Sequence, residues 1–193
     1  MREKIFKAKI EDIEFEYAVE YRKVKYIRYQ IRNGKVRIII PKGAKVDVEK
    51  CINMKKKWLY KNLATYKKKM EENEKKTRNM NLEYRTLNNL RILVNQYVEK
   101  YESQLNVKVN RLQFRDTIHK WGSCSSKKNI TLSKNLRFVP EYLVAYIVFH
   151  EMVHLIILSH NNEFYKIIKT EFPDHERCDE KLSQYEFLIS KKS

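Results

Sequence analysis

The chain has 193 residues, 42% of them hydrophobic, with only three glycines and three prolines, which excludes a low-complexity or disordered chain and favours long regular elements around a real core. Its formal charge is +17, unevenly spread: residues 1–140 carry 35 basic and 15 acidic side chains, whereas residues 141–193 carry 6 and 9. Such a field attracts nucleic acid, acidic protein or anionic lipid; the alternative is a solvated lysine-rich surface.

Cys51, Cys124 and Cys178 are far apart and form no CxxC. That argues against a disulfide framework or a thiolate zinc site and fits a reducing, cytoplasmic setting. The first residues lack the apolar core of a signal peptide, and the most apolar stretch, residues 144–158, is too short to span a bilayer, so no membrane partner is expected.

In chain order, a strand or strand pair is expected within residues 5–21. Ile27, Tyr29 and Ile31 alternate with Arg28, Gln30 and Arg32, and Val36, Ile38 and Ile40 alternate with Arg37 and Ile39. Asn33-Gly34 between them predicts a hairpin, because both residues accept the positive φ of a type I′ turn; Pro41-Lys42-Gly43 closes it. Residues 47–103 read as helical, with Asp47 as N-cap and Ile52, Trp58, Leu59 and Leu63 on an apolar face. Residues 67–80 are almost wholly charged or polar, hence a solvated helix or a linker, and helical spacing resumes over 82–105. β-structure is expected again at 107–114 and around 121–132. Pro140-Glu141 opens a helix that is apolar on nearly every side over residues 143–158, and so is buried. Ser159-His160-Asn161-Asn162 interrupts it, a second helix reaches Phe172, Pro173 stops that one, and a final helix covers about 176–189. The expected division is a basic N-terminal part, residues 1–65, built on an antiparallel hairpin and a helix, followed by residues 66–193; the two parts could also form one unit.

Inside the apolar helix stands His150-Glu151-Met152-Val153-His154, an HExxH pattern. Positions four apart share a helix face one turn apart, so both imidazoles can reach one ion, and Glu151 sits beside that face as a general base. Three protein ligands on Zn²⁺ with one open position is the catalytic pattern. Two His and a Glu would cost several kcal/mol if left unpaired in an apolar helix, and a bound metal resolves that cost. His160, six residues after His154 at the helix break, is the candidate third ligand; Glu163, His175 and His119 compete. The interval matches HExxHxxGxxH, but Ile157 replaces the glycine and no Met-turn follows, which excludes a metzincin. Tyr165, His119 and Arg115 are candidates to stabilise an oxyanion. Cys124 reads as a small buried residue, since no base for it is identifiable.

Arg115, then Trp121-Gly122-Ser123-Cys124, Ile130-Thr131-Leu132, Leu136, Pro140, His150-Glu151-x-x-His154, His160-x-x-x-Phe164 and Pro173-Asp174 resemble, in that order, the YgjP-like metal-dependent hydrolases, a family related to SprT-like and minimal gluzincin-type peptidases. The resemblance runs from Arg115 to about Leu182, and the Asn-Gly hairpin, Pro41-Lys42-Gly43 and the Trp58 helix are also similar. It implies an α+β zincin-like fold with an N-terminal antiparallel β-rich part and a helical connection. It further implies Zn²⁺ on His150, His154 and His160, a catalytic Glu151, and a strand at 121–124 beside the cleft. Lys120, Ser133, Asn161 and Tyr165 depart from the residues usual in that family.

The first functional expectation is therefore a zinc-dependent metallopeptidase acting on peptide or protein, near nucleic acid through the basic region 1–140. The alternative is a metal-dependent hydrolase of a phosphoanhydride such as a nucleoside triphosphate, although no Walker-type loop is present to cradle phosphates. A third is a nucleic-acid-binding protein with a structural zinc site, against which Glu151 argues, since a structural site needs no base.

Overall fold

Residues 13–16 and 27–32 alternate apolar with charged or polar side chains, and that period of two lets one face of a strand pack while the other meets water. The computed structural model describes residues 4–117 and 120–192. In it β1 (Ile5–Ile10) and β2 (Ile13–Arg22) form a hairpin turned at Glu11, and β3 (Arg28–Arg32) and β4 (Lys35–Pro41) form a second one. Asn33 and Gly34 both take positive φ, at 50° and 73°, as the type I′ reading requires.

The N-terminal sheet is not purely antiparallel, which corrects the sequence reading. Its order is β1-β2-β4-β3, and β2 pairs in parallel with β4, Tyr17 opposite Val36 through Arg22 opposite Pro41. The composition of β4 accounts for its place in that order, not for the direction of the pairing. Val36, Ile38, Ile39 and Ile40 are all buried, so the strand is apolar on both faces and takes an interior place, leaving the more polar β3 at the edge.

Asp47 caps α1 (Val48–Met54), accepting from the backbone N–H groups of Glu49 and Lys50. Lys55 ends that helix, and α2 (Lys56–Thr77) begins at once. Ile52, Leu59 and Leu63 pack on Ile10, Ile13, Phe15, Val36, Ile38 and Ile40, giving the sheet its covered face. The charged stretch from residue 67 stays helical as far as Thr77. The chain is then extended up to Thr86, where Glu83 and Arg85 donate backbone hydrogen bonds to Phe138 and Arg137. The region 47–103 read as helical, with a helix or a linker left open over 67–80, is three helices, the third being α3 (Leu87–Leu105) capped by Thr86. The chain divides into two units, Met1–Lys75 and Lys76–Ser193.

The second unit is organised around α4 (Glu141–Val153), where every residue from Leu143 to Phe149 and from Glu151 to Val153 is buried. A helix apolar all round must be covered on all sides, and α3, α5 (Asn162–Glu171), α6 (His175–Lys192) and the strand β6 (Gly122–Cys124) cover it. β6 ends a three-stranded sheet of order β5-β7-β6, with β5 (Arg111–Arg115) parallel and β6 antiparallel to the central β7 (Asn129–Ser133). A short 3₁₀ turn (Lys134–Phe138) leads from β7 toward α4. The aromatic centre is Tyr101 on Phe149 at 4.8 Å and Tyr146 on Phe172 at 5.2 Å. The helix ends at Val153, five residues short of the expected apolar run to Leu158: Leu155 donates to Met152 and Ile156 to Val153 in a tightened last turn. Ile156 and Leu158 are exposed. Among the described residues, no helix is long and apolar enough to cross a membrane.

Gly34 has φ +73°, and a Cβ there would stand 2.6 Å from Cε1 of Tyr66 on α2. Gly34→Ala should therefore destabilise the chain by more than about 1 kcal/mol in urea unfolding. Gly34→Ala with Tyr66→Ala should recover the part due to the ring and leave the part due to the backbone; equal stability of Gly34→Ala and wild type would refute both contributions.

Candidate metal centre

α4 presents His150 and Glu151 in its last turn, and His154 is its C-cap. The tightened turn after it aims the Ile157 carbonyl at Nδ1 of His154, 3.0 Å away. A carbonyl only accepts, so Nδ1 carries the proton and Nε2 of the neutral ring is left with its lone pair. The chain then returns through His160, just before α5, whose N-cap Asn161 accepts from the Phe164 N–H at 3.0 Å. Nε2 of His160 comes to lie 3.0 Å from Nε2 of His150 and 3.2 Å from Nε2 of His154.

Three nitrogens facing one another this closely cannot all be satisfied by one another's protons, and they fit one cation. Ligands about 2.0–2.1 Å from a tetrahedral zinc ion lie about 3.3 Å apart, close to what His160 makes with its two neighbours. The ligand atoms of all three rings fall within 4.8 Å of one another. Phe164 of α5, fully buried, forms the floor of the cluster, with its ring centroid 5.0, 4.6 and 4.7 Å from those of His150, His154 and His160. Burial drives the His150 imidazole down to about 3, with its like-charged neighbours His154, His160 and His175 adding to the effect. Burial also lowers His154, opposed by its bond to Ile157. Both rings are thus held neutral, the form that binds metal.

Glu151 is buried, and its Oε2 has no hydrogen-bond partner. Burial pushes its carboxyl up to about 8, and the Lys120 ammonium pulls it partly back. The carboxyl lies against the backbone of β6: a Cβ on Gly122 would meet Cγ and Oε1 of Glu151 at 2.6 Å. A desolvated carboxyl with its pKa pushed up to about 8 can take up and release a proton near neutrality.

The remaining candidates separate. Tyr165 is half-buried on α5, its ring 6.3 Å from His160 and 5.3 Å from His175. His175 is buried, with Nδ1 lacking a hydrogen-bond partner, but it stands outside the group of three. Glu163 is exposed and paired with Lys166 at 3.8 Å, also outside it. Arg115 is exposed at the end of β5, on the sheet edge opposite β6. His119 lies outside the described residues. Burial and the nearby Glu151 raise the Cys124 thiol to about 11, which suits a packing role. Sequence reasoning gave no role to Gly122, Lys120 or Phe164. Gly122 carried a signal as a glycine inside a strand without a turn, and Phe164 one for burial through its apolar helical spacing.

The opposed shifts set a pH dependence for the metal-free protein. Glu151, raised from 4.5 to about 8, contributes stability that is full below pH 4.5 and is lost as pH rises through 8. His150, lowered from 6.5 to about 3, contributes stability that is full above pH 6.5 and is lost as pH falls through 3. The two slopes cancel between 4.5 and 6.5, where these groups give a plateau. In thermal melts of metal-free protein, Glu151→Gln should match wild type below pH 4.5 and exceed it increasingly up to pH 8. A pH-independent difference between the two would contradict the desolvated carboxyl.

Among solved structures, the metallopeptidase zymogen abylysin of Pyrococcus abyssi is similar at 25% identity and a TM-score of 0.40, over 45% of this chain and 86% of that one. No curated protein matches the chain. A family model for the YgjP-like metallopeptidase domain matches residues 71–185, a span that takes in all three strands of the second sheet, α4, α5 and most of α6. Since that match covers more than half of the 193 residues, the chain belongs to the YgjP-like metallopeptidase family and is a metal-dependent hydrolase.

Proposed function

We propose that the chain is a zinc-dependent peptidase of zincin-like fold in which His150, His154 and His160 hold the metal and Glu151 is the general base. The observation that carries this reading is the convergence of three imidazole Nε2 atoms, together with a buried carboxyl on the same helix turn whose Oε2 has no hydrogen-bond partner. A divalent ion held there supplies Lewis acidity, lowering the pKa of water and polarising a carbonyl. Imidazole donors alone suit zinc better than magnesium or calcium.

The chain's own groups do the rest. Ile157 holds His154 in the tautomer that leaves Nε2 bare. Glu151 Oε2 accepts the proton of the attacking water and passes it to the leaving amine nitrogen. β6 ends its sheet next to Glu151, so an extended peptide can add to that edge with its backbone beside the base. Tyr165, the oxyanion candidate placed against His160, donates to the developing negative oxygen. The free cysteines fit a cytoplasmic setting. The positive excess over residues 1–140 supports substrates bound near nucleic acid.

Glu151→Gln should retain one equivalent of zinc and lose about 10²–10⁴-fold in kcat on fluorescent casein, whereas His154→Ala should lose the metal as well. Chelation should abolish cleavage and added zinc restore it. Undiminished turnover by Glu151→Gln would end the reading, and zinc-dependent phosphate release from nucleoside triphosphates without peptide cleavage would replace it with the phosphoanhydride one. Affinity for a DNA or RNA oligonucleotide should fall steeply with salt; no binding at low salt removes the nucleic-acid element while leaving the peptidase intact.

A further inference from the structure

Of the three glycines, Gly34 and Gly43 occupy the left-handed region that requires glycine, but Gly122 does not. Its backbone would accept alanine, and nothing about a three-residue strand calls for a flexible residue there. What the position does lack is room. A Cβ would meet Glu151 Cγ at 2.6 Å, Oε1 at 2.6 Å and Cδ at 2.8 Å, and these atoms are the nearest to it. All three belong to one side chain, and no backbone atom is among them.

We infer that Gly122 is a positioning residue for the general base: the missing side chain on β6 is the slot in which the Glu151 carboxyl lies. This rests on the catalytic reading of Glu151. Glu151 is enclosed by α4 on one side, and β6 backs it on the other. Oε1 lies against the strand, and Oε2 is buried without a hydrogen-bond partner. A methyl group at residue 122 displaces the flexible end of Glu151, not the strand, so the fold survives and the carboxyl leaves its place. The imidazoles are held separately, by Ile157 and the Phe164 floor, and are not disturbed.

Gly122→Ala, Glu151→Asp and the double variant separate this role from a structural one. Gly122→Ala should bind one equivalent of zinc with unchanged affinity, keep KM for fluorescent casein within about threefold and lose on the order of 10²-fold in kcat, the scale of a misplacement of about 1 Å. Glu151→Asp, one methylene shorter, should also be slow alone, and adding Gly122→Ala to it should cost less than tenfold more. Wild-type kcat in Gly122→Ala, or fully additive losses, overturns the inference.

Thermal melts of metal-free protein give a readout that does not need turnover. Gly122→Ala should lower Tm beside Glu151 but not in a Glu151→Ala background. Should wild type prove inactive on every peptide, the catalytic reading fails while the melts still decide the contact. If Gly122→Ala alone does not fold and the Glu151→Ala double variant does, the contact stands; if neither folds, the obstruction lies elsewhere and the inference falls.

Discussion

The structure depends on a conflict of solvation in a single helix turn. α4 is the most deeply buried element of its unit, and its last turn carries the ionisable groups His150 and Glu151, followed at once by His154. Charging any of them there is penalised, so His150 is held neutral far below its usual range and Glu151 is driven well above its own. The same burial that covers the apolar face of α4 therefore keeps the imidazoles in the neutral form that binds metal and favours the protonated form of the carboxyl. Tyr146 shows how the rest of the helix handles this problem: burial raises its hydroxyl, and the bond to Asp179 at 2.8 Å satisfies it. Glu151 Oε2 and His175 Nδ1 have no such partner.

Much of this was legible beforehand. HExxH requires only helix periodicity to bring two rings together, and Asn33-Gly34 requires only the φ preferences of two residues, so both survive without tertiary information. His160 was legible as a ligand candidate from its place at a helix break, although its selection over Glu163 and His175 depends on the course of the chain through 155–160. Strand order was not legible. The β4 sequence shows that the strand is apolar on both faces, but whether its second neighbour runs parallel or antiparallel depends on where the chain crosses after Arg22. The end of α2 and the extended stretch after it were also hidden, because a run of lysines and glutamates fits a solvated helix and a linker equally well.

Gly122 belongs to a different class of hidden information. A glycine in a strand announces a close approach but never names the partner. The contact spans β6 and α4, and no local rule couples residue 122 to residue 151. Phe164 is similar: its apolar helical spacing predicts burial, but the three rings resting on it are a property of the turn that brings them there.

That turn is where the helix length matters. Had α4 run on through residue 158, as its apolar composition suggests, His160 would stand about 240° around the axis from His154 and about 9 Å further along it. It would then point away from the other two rings. Ending the helix at Val153 exposes Ile156 and Leu158 to solvent, which an apolar run would avoid if burial alone decided. What the break provides is specific: the freed Ile157 carbonyl fixes the His154 tautomer, and the short return through Ser159 brings the third imidazole back over Phe164. A modest loss of buried apolar surface is exchanged for a complete donor set. This is why periodicity finds two of the three imidazoles and a departure from periodicity supplies the third.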